Sequence, residues 1–486
     1  MTVPAPPPGC PAHAGTGRAP VTPLYGADFA TDPSGVYNRL RGQGAVAPVE
    51  LSPGVDAMLV TGYYAALEVL RGTEAYGKDP RRWRALAEGR VPANSPVMPM
   101  MGYRPNVLFA DGDAHHRLRA AATESLDRVD PHALRRYVEH SADNLIDRFA
   151  GTGSADLIAE YARAIPLLVF NDLFGMDQVH GARLMAAMAG IFEGTSPEEA
   201  EQANADYTRL ISDLIALKRA EPAQDVTSWM MAHPAQLNDE EMIHQVVVMM
   251  GAGTEPTSNL ISNGLRLLLS DDRFFNDLTG GSLTITDALD EVLWKDPPLA
   301  NYAVHYPVKD VELAGVPLHA GEPVVVSLAA ANTDPSLSAT VQRSGNRAHL
   351  AYSAGPHACP AQSAARLISE VAIEKLLDRL PDLELDVPAD TLQWRPGPFH
   401  RALTALPARF TRVVPVTPVA AHPAQLDQSQ SHSQSHQTPG DSSWQSSPVP
   451  SSSIPSARTS TAKAPGSAKP GRQRWWNSLA VWWRGQ

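Results

Sequence analysis

Residues 353–367 read SAGPHACPAQSAARL, and Cys359 within them is one of only two cysteines in a chain of 486 residues. Behind it, Ala364, Leu367, Ile368, Val371, Ala372, Leu376 and Leu377 fall at the spacing of one apolar helical face. Pro360 suits the first turn of such a helix, where its missing N–H costs nothing. The spacing predicts a thiol at a helix N-terminus, where the dipole and the free N–H groups favour thiolate over thiol. Gly355 lets the backbone approach another group closely. A thiolate so placed can be a nucleophile, a redox sensor or a metal ligand. A small buried hydrophobe is the plainer reading, and these residues alone leave all four open.

Other residues with chemistry to offer lie far apart. His115 and Arg119, in DGDAHHRLRAA, are four apart and share a helix face. Glu255 lies in GAGTEPTSN and His305 in AVHYPVKDVEL. The cysteine stretch resembles the haem-binding loop of the cytochrome P-450 superfamily, whose pattern is an aromatic residue, two more, Gly, x, His or Arg, x, Cys, x, Gly. Tyr352, Gly355, His357 and Cys359 match, and Ala361 replaces the last glycine. Six further stretches resemble family segments in family order: PLYGADFATDP, DGDAHHRLRAA, GAGTEPTSN, DEVLWKDPP, GEPVVVSLAAANTDP and PGPFHRALTALPARF.

The resemblance implies haem b (iron protoporphyrin IX), with Cys359 as the axial ligand of the iron. A thiolate in that position pushes electron density onto the iron and favours O–O cleavage, and N–H groups aimed at the sulfur tune its potential. It also implies propionate contacts from His115, Arg119 and His357, and puts Tyr352, Gly355, Ala252 and Gly253 against the cofactor. His305 stands where relatives often carry arginine; as a lone histidine it is equally a structural residue. His116 and Arg117 read as surface.

Two departures from the family pattern matter. The family's Glu-x-x-Arg pair is broken, because Glu291 is present but Trp294 occupies the arginine position. A buried carboxylate without its partner costs several kcal/mol, about 3 or more. Glu291 must therefore find another cation, become protonated or sit near water. Lys295 merely neighbours Trp294, so Arg343 and Arg347 in the loop before the cysteine are the expected partners, with Trp294 as packing. The second departure is in the oxygen-activating helix, where Ala252, Gly253, Thr254 and Glu255 match but Pro256 replaces the first threonine. Proline has no hydroxyl and no N–H for the Ala252 carbonyl, so a kink is expected. Glu255 becomes the proton-relay candidate, with Thr254 or Thr257 as substitute hydroxyls; the alternative is that Glu255 merely caps or solvates the break.

The elements that must position these residues are mainly helical. DPHALRRYVEHSADNLIDRFA has an Asp-Pro start and apolar positions three and four apart. EMIHQVVVMMGAGTEPTSNLISNGLRLLLS reads as a long helix interrupted near residues 253–256, and TDALDEVLWKDPP as a helix stopped by two prolines. VELAGVPL, EPVVVSLAAAN and RALTALPARF are strand-like. The expected fold is mainly α with small β-sheets, a cytochrome P-450 fold in a single large domain over residues 25–415. Residues 1–24 form a Pro-rich arm expected to be disordered, residues 416–470 a Ser/Gln/Pro-rich linker that cannot bury enough apolar surface to fold, and residues 471–486 a Trp-rich amphipathic helix. In that last piece Trp475, Trp476, Leu479, Trp482 and Trp483 make one apolar stripe flanked by Arg472, Arg474 and Arg484. The stripe suits a peripheral anchor on an anionic membrane or a groove on a partner protein.

A formal charge of −12 argues against nucleic-acid binding. Two cysteines, no signal peptide and no run of 18 apolar residues indicate a cytoplasmic setting, peripheral on the membrane if the tail anchors it. Two functions follow. The first is a haem-thiolate monooxygenase of secondary metabolism, inserting one atom of O2 into a small apolar organic substrate with electrons from ferredoxin and ferredoxin reductase. Arg366, Lys375 and Arg379 would suit the acidic redox partner, or form an ordinary solvated face. The second is a non-hydroxylating haem protein, a sensor, peroxide-using or docking component, which Pro256 and Trp294 favour. Residues 94–105, 190–196 and the run before Gly251 are expected to line the substrate pocket, whose methionines name no molecule.

Overall fold

Helix starts are set by local side-chain caps. Asp130 accepts the N–H groups of His132 at 3.0 Å and Ala133 at 3.3 Å. Asn238 with Glu241, and Thr284 with Asp287, form reciprocal capping boxes. The computed structural model describes residues 21–416 apart from 93–94, 194–196, 272–283 and 338–344. The helices that position the site are α1 (Pro33–Arg41), α2 (Tyr63–Arg71), α3 (Gly112–Leu126), α4 (Pro131–Phe149), α5 (Ala164–Leu173), α6 (Asp239–Ser270), α7 (Ile285–Lys295) and α8 (Gln362–Arg379). Helices α4, α6, α7 and α8 share a core built from Val138, Ile146, Leu265, Leu289, Ile373 and Leu376, all buried. Burying such side chains contributes about 2 kcal/mol each.

The β elements are small. A six-stranded sheet runs in the order β1-β2-β3-β9-β6-β4, with β1 Thr22–Pro23, β2 Val46–Ser52, β3 Val55–Val60, β4 Tyr76–Gly77, β6 Asn301–Pro307 and β9 Val324–Ser327. All four residues of β9 are buried, as expected of an inner strand covered on both faces. VELAGVPL folds as the hairpin β7 (Val311–Leu313) and β8 (Val316–Leu318), and positive φ at Ala314 and Gly315 gives the turn that hairpin needs. A three-stranded sheet joins β5 (Ser154–Asp156), β10 (Glu384–Leu385) and β11 (Pro407–Arg409).

Several sequence expectations need correction. EPVVVSLAAAN is a strand only as far as Ser327, whose hydroxyl then accepts from Ala330 N at 3.0 Å and starts a short helix. RALTALPARF supplies only the three residues of β11. The central helix α6 is not interrupted: it runs as 32 residues with Pro256 inside it. Helix α8 begins at Gln362 with Ala361 as cap, so Cys359 and Pro360 precede it rather than opening its first turn. Arg366, Lys375 and Arg379 are not a free basic face. Lys375 pairs with Asp143 at 2.9 Å, Arg379 with Asp143 at 3.0 Å and Asp147 at 2.5 Å, tying α8 to α4, and Arg366 is buried against Asp290 at 2.5 Å. Residues 1–20 with Cys10, residues 417–486 with the Trp-rich stretch, and Arg343 lie outside the described residues, as do the side chains of 190–196. Among the described residues, no helix is long and apolar enough to cross a membrane.

Candidate active site

The loop before α8 is shaped by backbone that few residues tolerate. Ser353 has φ 63° and Gly355 φ 70°. A Cβ at residue 355 would also stand 2.2 Å from the Leu70 carbonyl oxygen at the end of α2, so both conformation and space require glycine. Leu350 N–H donates to Asn332 Oδ1 at 2.6 Å, and Asn332 Nδ2 donates to the Leu293 carbonyl at 2.9 Å, fixing the loop to α7. Cys359 N–H donates to the Tyr352 carbonyl at 2.9 Å. Burial pushes the Cys359 thiol up, against the lowering effects of the Ala361 N–H aimed at it and of Arg119.

Cys359 faces a cavity of about 600 Å³, whose wall also carries Lys78, Arg119, His305 and His357. His115 adjoins this group, its ring tilted 39° against that of His357 with centroids 4.0 Å apart, and its Nε2 is buried with no hydrogen-bond partner. Burial, with help from Arg119, lowers His115 to about 4. Burial and Lys78 drive His305 well below its ordinary value, and its Nδ1 lies 2.9 Å from the Ala303 carbonyl. Lys78 is buried, donates to the Val304 carbonyl at 2.7 Å, and is lowered by burial to about 8. Arg119 is also lowered by burial. Cations and imidazoles crowd the cavity wall, and among the described residues Asp111 is the acid that acts on Lys78; such a cluster calls for an anion. The sequence reading did not single out Lys78: in YGKDPRR a lysine looks solvated, and only the pairing of β4 with β6 brings it beneath Val304. His116 is exposed, as expected, but Arg117 ties α3 to α6 through Glu241.

The opposite wall is α6. Gly251, Ala252, Gly253, Pro256, Thr257 and Leu260 line the cavity. Thr254 and Glu255 are not on that face, since helical spacing turns them aside. The Thr254 hydroxyl is buried without a partner. A Cβ on Gly253 would meet the Phe170 ring at 2.2 Å, so glycine lets α5 pack against α6 here. Glu255 is buried and ion-paired with Arg395, with Asn259 Nδ2 at 3.3 Å. Burial alone would raise it, but Arg395, His400 and Asn259 together hold it at about 2. Glu255 is therefore a clamped carboxylate. His400, set beside Leu299 by a β-bridge, reaches the cavity wall.

No protein-family model matches the chain. It is 32% identical over 413 residues to the cytochrome P450 monooxygenase PikC of Streptomyces venezuelae, covering 82% of this chain and 96% of that protein. It is 29% identical over 407 residues to 6-deoxyerythronolide B hydroxylase of Saccharopolyspora erythraea, covering 80% and 99%. The solved structure of CYP154C4 from Streptomyces sp. W2061 matches with a TM-score of 0.72 and 28% identity over 80% of this chain and 97% of that one. The chain belongs to the cytochrome P450 family. This P450 is a haem monooxygenase, an oxidoreductase acting on a small organic substrate. Its cofactor is haem, which when bound supplies the activation of O2.

The residues present fit that cofactor. Cys359 offers the thiolate, and the orphaned His115 Nε2, Arg119, Lys78, His305 and His357 offer donors for two carboxylates. The P450's replacement for its lost arginine is a rearrangement of charge. Glu291 turns outward and pairs with Lys295 one helical turn on, which corrects the expectation of a loop arginine as its partner. The buried acid is instead Asp290, held by Arg366 and with Arg347 Nε at 3.5 Å. Trp294 is buried, donates from Nε1 to the Asn346 carbonyl at 2.9 Å, and meets His349 edge-on at 5.7 Å. Trp294 thus packs where the family forms an ion pair.

Proposed function

We propose that this P450 inserts one oxygen atom into a mainly apolar product of secondary metabolism, taking electrons from ferredoxin and ferredoxin reductase. Cys359 would hold the haem iron through its thiolate, and His115, Arg119, His305, His357 and Lys78 would hold the haem propionates. The carrying observation is the single cavity whose wall joins that thiol and those cations to an apolar chamber of Met100, Leu126, Phe170, Leu173, Val248 and Leu299. Relatives named for oxidising mycinamicin IV and for polyketide biosynthesis support this substrate class. Reconstitution with a ferredoxin and its reductase tests it. Substrate-dependent NADPH use matched by product supports the reading, and NADPH use without product opposes it.

Forming one alcohol and one water from O2 takes two electrons and two protons, and Pro256 cannot pass a proton. Glu255, a carboxylate at neutral pH, has none of its own to give. His400 is better suited. Burial, against the pull of Glu255, lowers it to about 4, so its neutral ring can accept at one nitrogen while donating from the other. It lines both the main cavity and a second one of about 20 Å³, room for about one water, whose rim includes the exposed Ser34 and Lys295. His400 then relays protons to the Thr257 hydroxyl, and Glu255 with Arg395 positions the ring. His400→Phe should lower product per NADPH about tenfold or more with peroxide released instead, while haem content stays. Unchanged coupling would refute the relay.

The proposed haem domain keeps residues 25–415 but begins earlier than expected, since Thr22 and Pro23 pair with β2 and Leu24 is buried, so the expected disordered arm over residues 1–24 is corrected at its end; the proposed linker follows over 416–470. Residues 471–486 are the proposed amphipathic helix, lying on the cytoplasmic face of an anionic membrane, with a partner protein's groove as the rival. Co-sedimentation with anionic vesicles tests this: equal binding by the full chain and by a chain ending at residue 470 would refute the anchor.

A further inference from the structure

Arg104 lines the same cavity, on the loop whose Val107 N–H donates to Gln245 Oε1 of α6 at 3.1 Å. Its neighbours are Pro99, Tyr302 and His244, a set that includes none of Lys78, His115, Arg119, His305 and His357. Its Nη1 donates to the Pro99 carbonyl at 2.6 Å, and its Nε is buried without a partner. Burial lowers it to about 10, so it remains charged at neutral pH. Among the described residues no carboxylate pairs with it, and the one acidic side chain lining the cavity, Asp127, is exposed. A half-buried guanidinium with its Nε unanswered and only one carbonyl as partner is costly unless an anion reaches it. The surrounding wall is mainly apolar, with Met100, Phe174 and Val247 among its residues, and Asn106 and Tyr302 add neutral polar groups but no negative charge.

Resting on the monooxygenase reading above, we propose that the substrate is an organic acid, whose carboxylate is held by the Arg104 guanidinium while its apolar body extends toward the thiol end of the cavity. His244, next to Arg104, lies eight residues before Ala252 on α6, about 12 Å along the helix axis. The oxidised carbon is accordingly remote from the carboxylate. The Arg104 fork can donate to both carboxylate oxygens, which lysine, a point charge, cannot match.

The test measures binding, by the Soret shift of the haem-loaded protein, for dodecanoate and 2-naphthoate, each against its own methyl ester. Wild type should prefer the acid by about tenfold or more. Arg104→Met should erase that preference while leaving ester affinity within about twofold, and Arg104→Lys should restore part of it. Equal binding of acid and ester by wild type, or an acid preference that survives Arg104→Met, would overturn the proposal. If Arg104→Met does not load haem, the wild-type ratio decides alone. The reduced carbon monoxide spectrum, taken on the same samples, separates this failure from failure of the P450 assignment: the proposal fails with the spectrum intact, and the family reading fails with the spectrum lost.

Discussion

At the scale of single residues, the cavity joins groups that separately look ordinary. Lys78 is the clearest, a buried cation bonded to one carbonyl and waiting on a carboxylate. Lys78→Met should retain the fold but release haem faster, by about tenfold, since a charge-assisted bond contributes roughly 1.5 kcal/mol or more; transfer to apomyoglobin measures it. Glu255 makes a different demand. Its carboxyl titrates at about 2 in the folded protein, against 4.5 ordinarily. Its contribution to stability is therefore full above the ordinary range and is lost as pH falls toward about 2. Glu255→Gln leaves Arg395 without its ion pair and should cost about 3 kcal/mol at pH 7. Denaturant midpoints of the two proteins should converge as the solution is acidified. A gap independent of pH would show that Glu255 is not held by charge.

At the scale of elements, the sequence made much legible and misplaced a few things for physical reasons. The Asp130 cap and the apolar periodicity placed α4 correctly, and the TDALDEVLWKDPP pattern placed α7. Asp290 and Glu291 are successive acids about 100° apart on α7, and which one turns inward depends on the rotation of the helix against Arg366, which no local pattern encodes. Pro256 suggested a broken helix, yet α6 carries it, because tertiary packing on both halves outweighs one absent hydrogen bond. Lys375 and Arg379 suit an acidic redox partner or a solvated face when read along the chain, but α4 supplies Asp143 and Asp147 to pair with them. Trp294 was expected as packing, and it is buried with its N–H bonded. Trp294→Arg would bring a third cation beside Arg366 and Arg347 with Asp290 as their buried counter-charge. It should lower stability by about 2 kcal/mol or more and add nothing to haem content. A gain in thermal midpoint or in haem content would show a prepared arginine site.

At the scale of the whole molecule, helices α6 and α8 and the loop before α8 line one cavity, with the residue after β4 and strand β6 supplying Lys78 and His305 to its wall. The cysteine, the histidines and the order of the family-like stretches were readable along the chain. Arg104 lies in the stretch 94–105 expected to line the pocket, and it does; Lys78 and His400 were not readable, since Val304 and Glu255, which set their surroundings, are more than a hundred residues away. The central claim is that Cys359 alone ligates the haem iron of a P450. The direct measurement is the reduced carbon monoxide difference spectrum of wild type, Cys359→Ala and Cys10→Ser. Wild type and Cys10→Ser should show the band for which the family is named, and Cys359→Ala should lack it. Retention of that band in Cys359→Ala, or its absence from the haem-loaded wild type, would contradict the account.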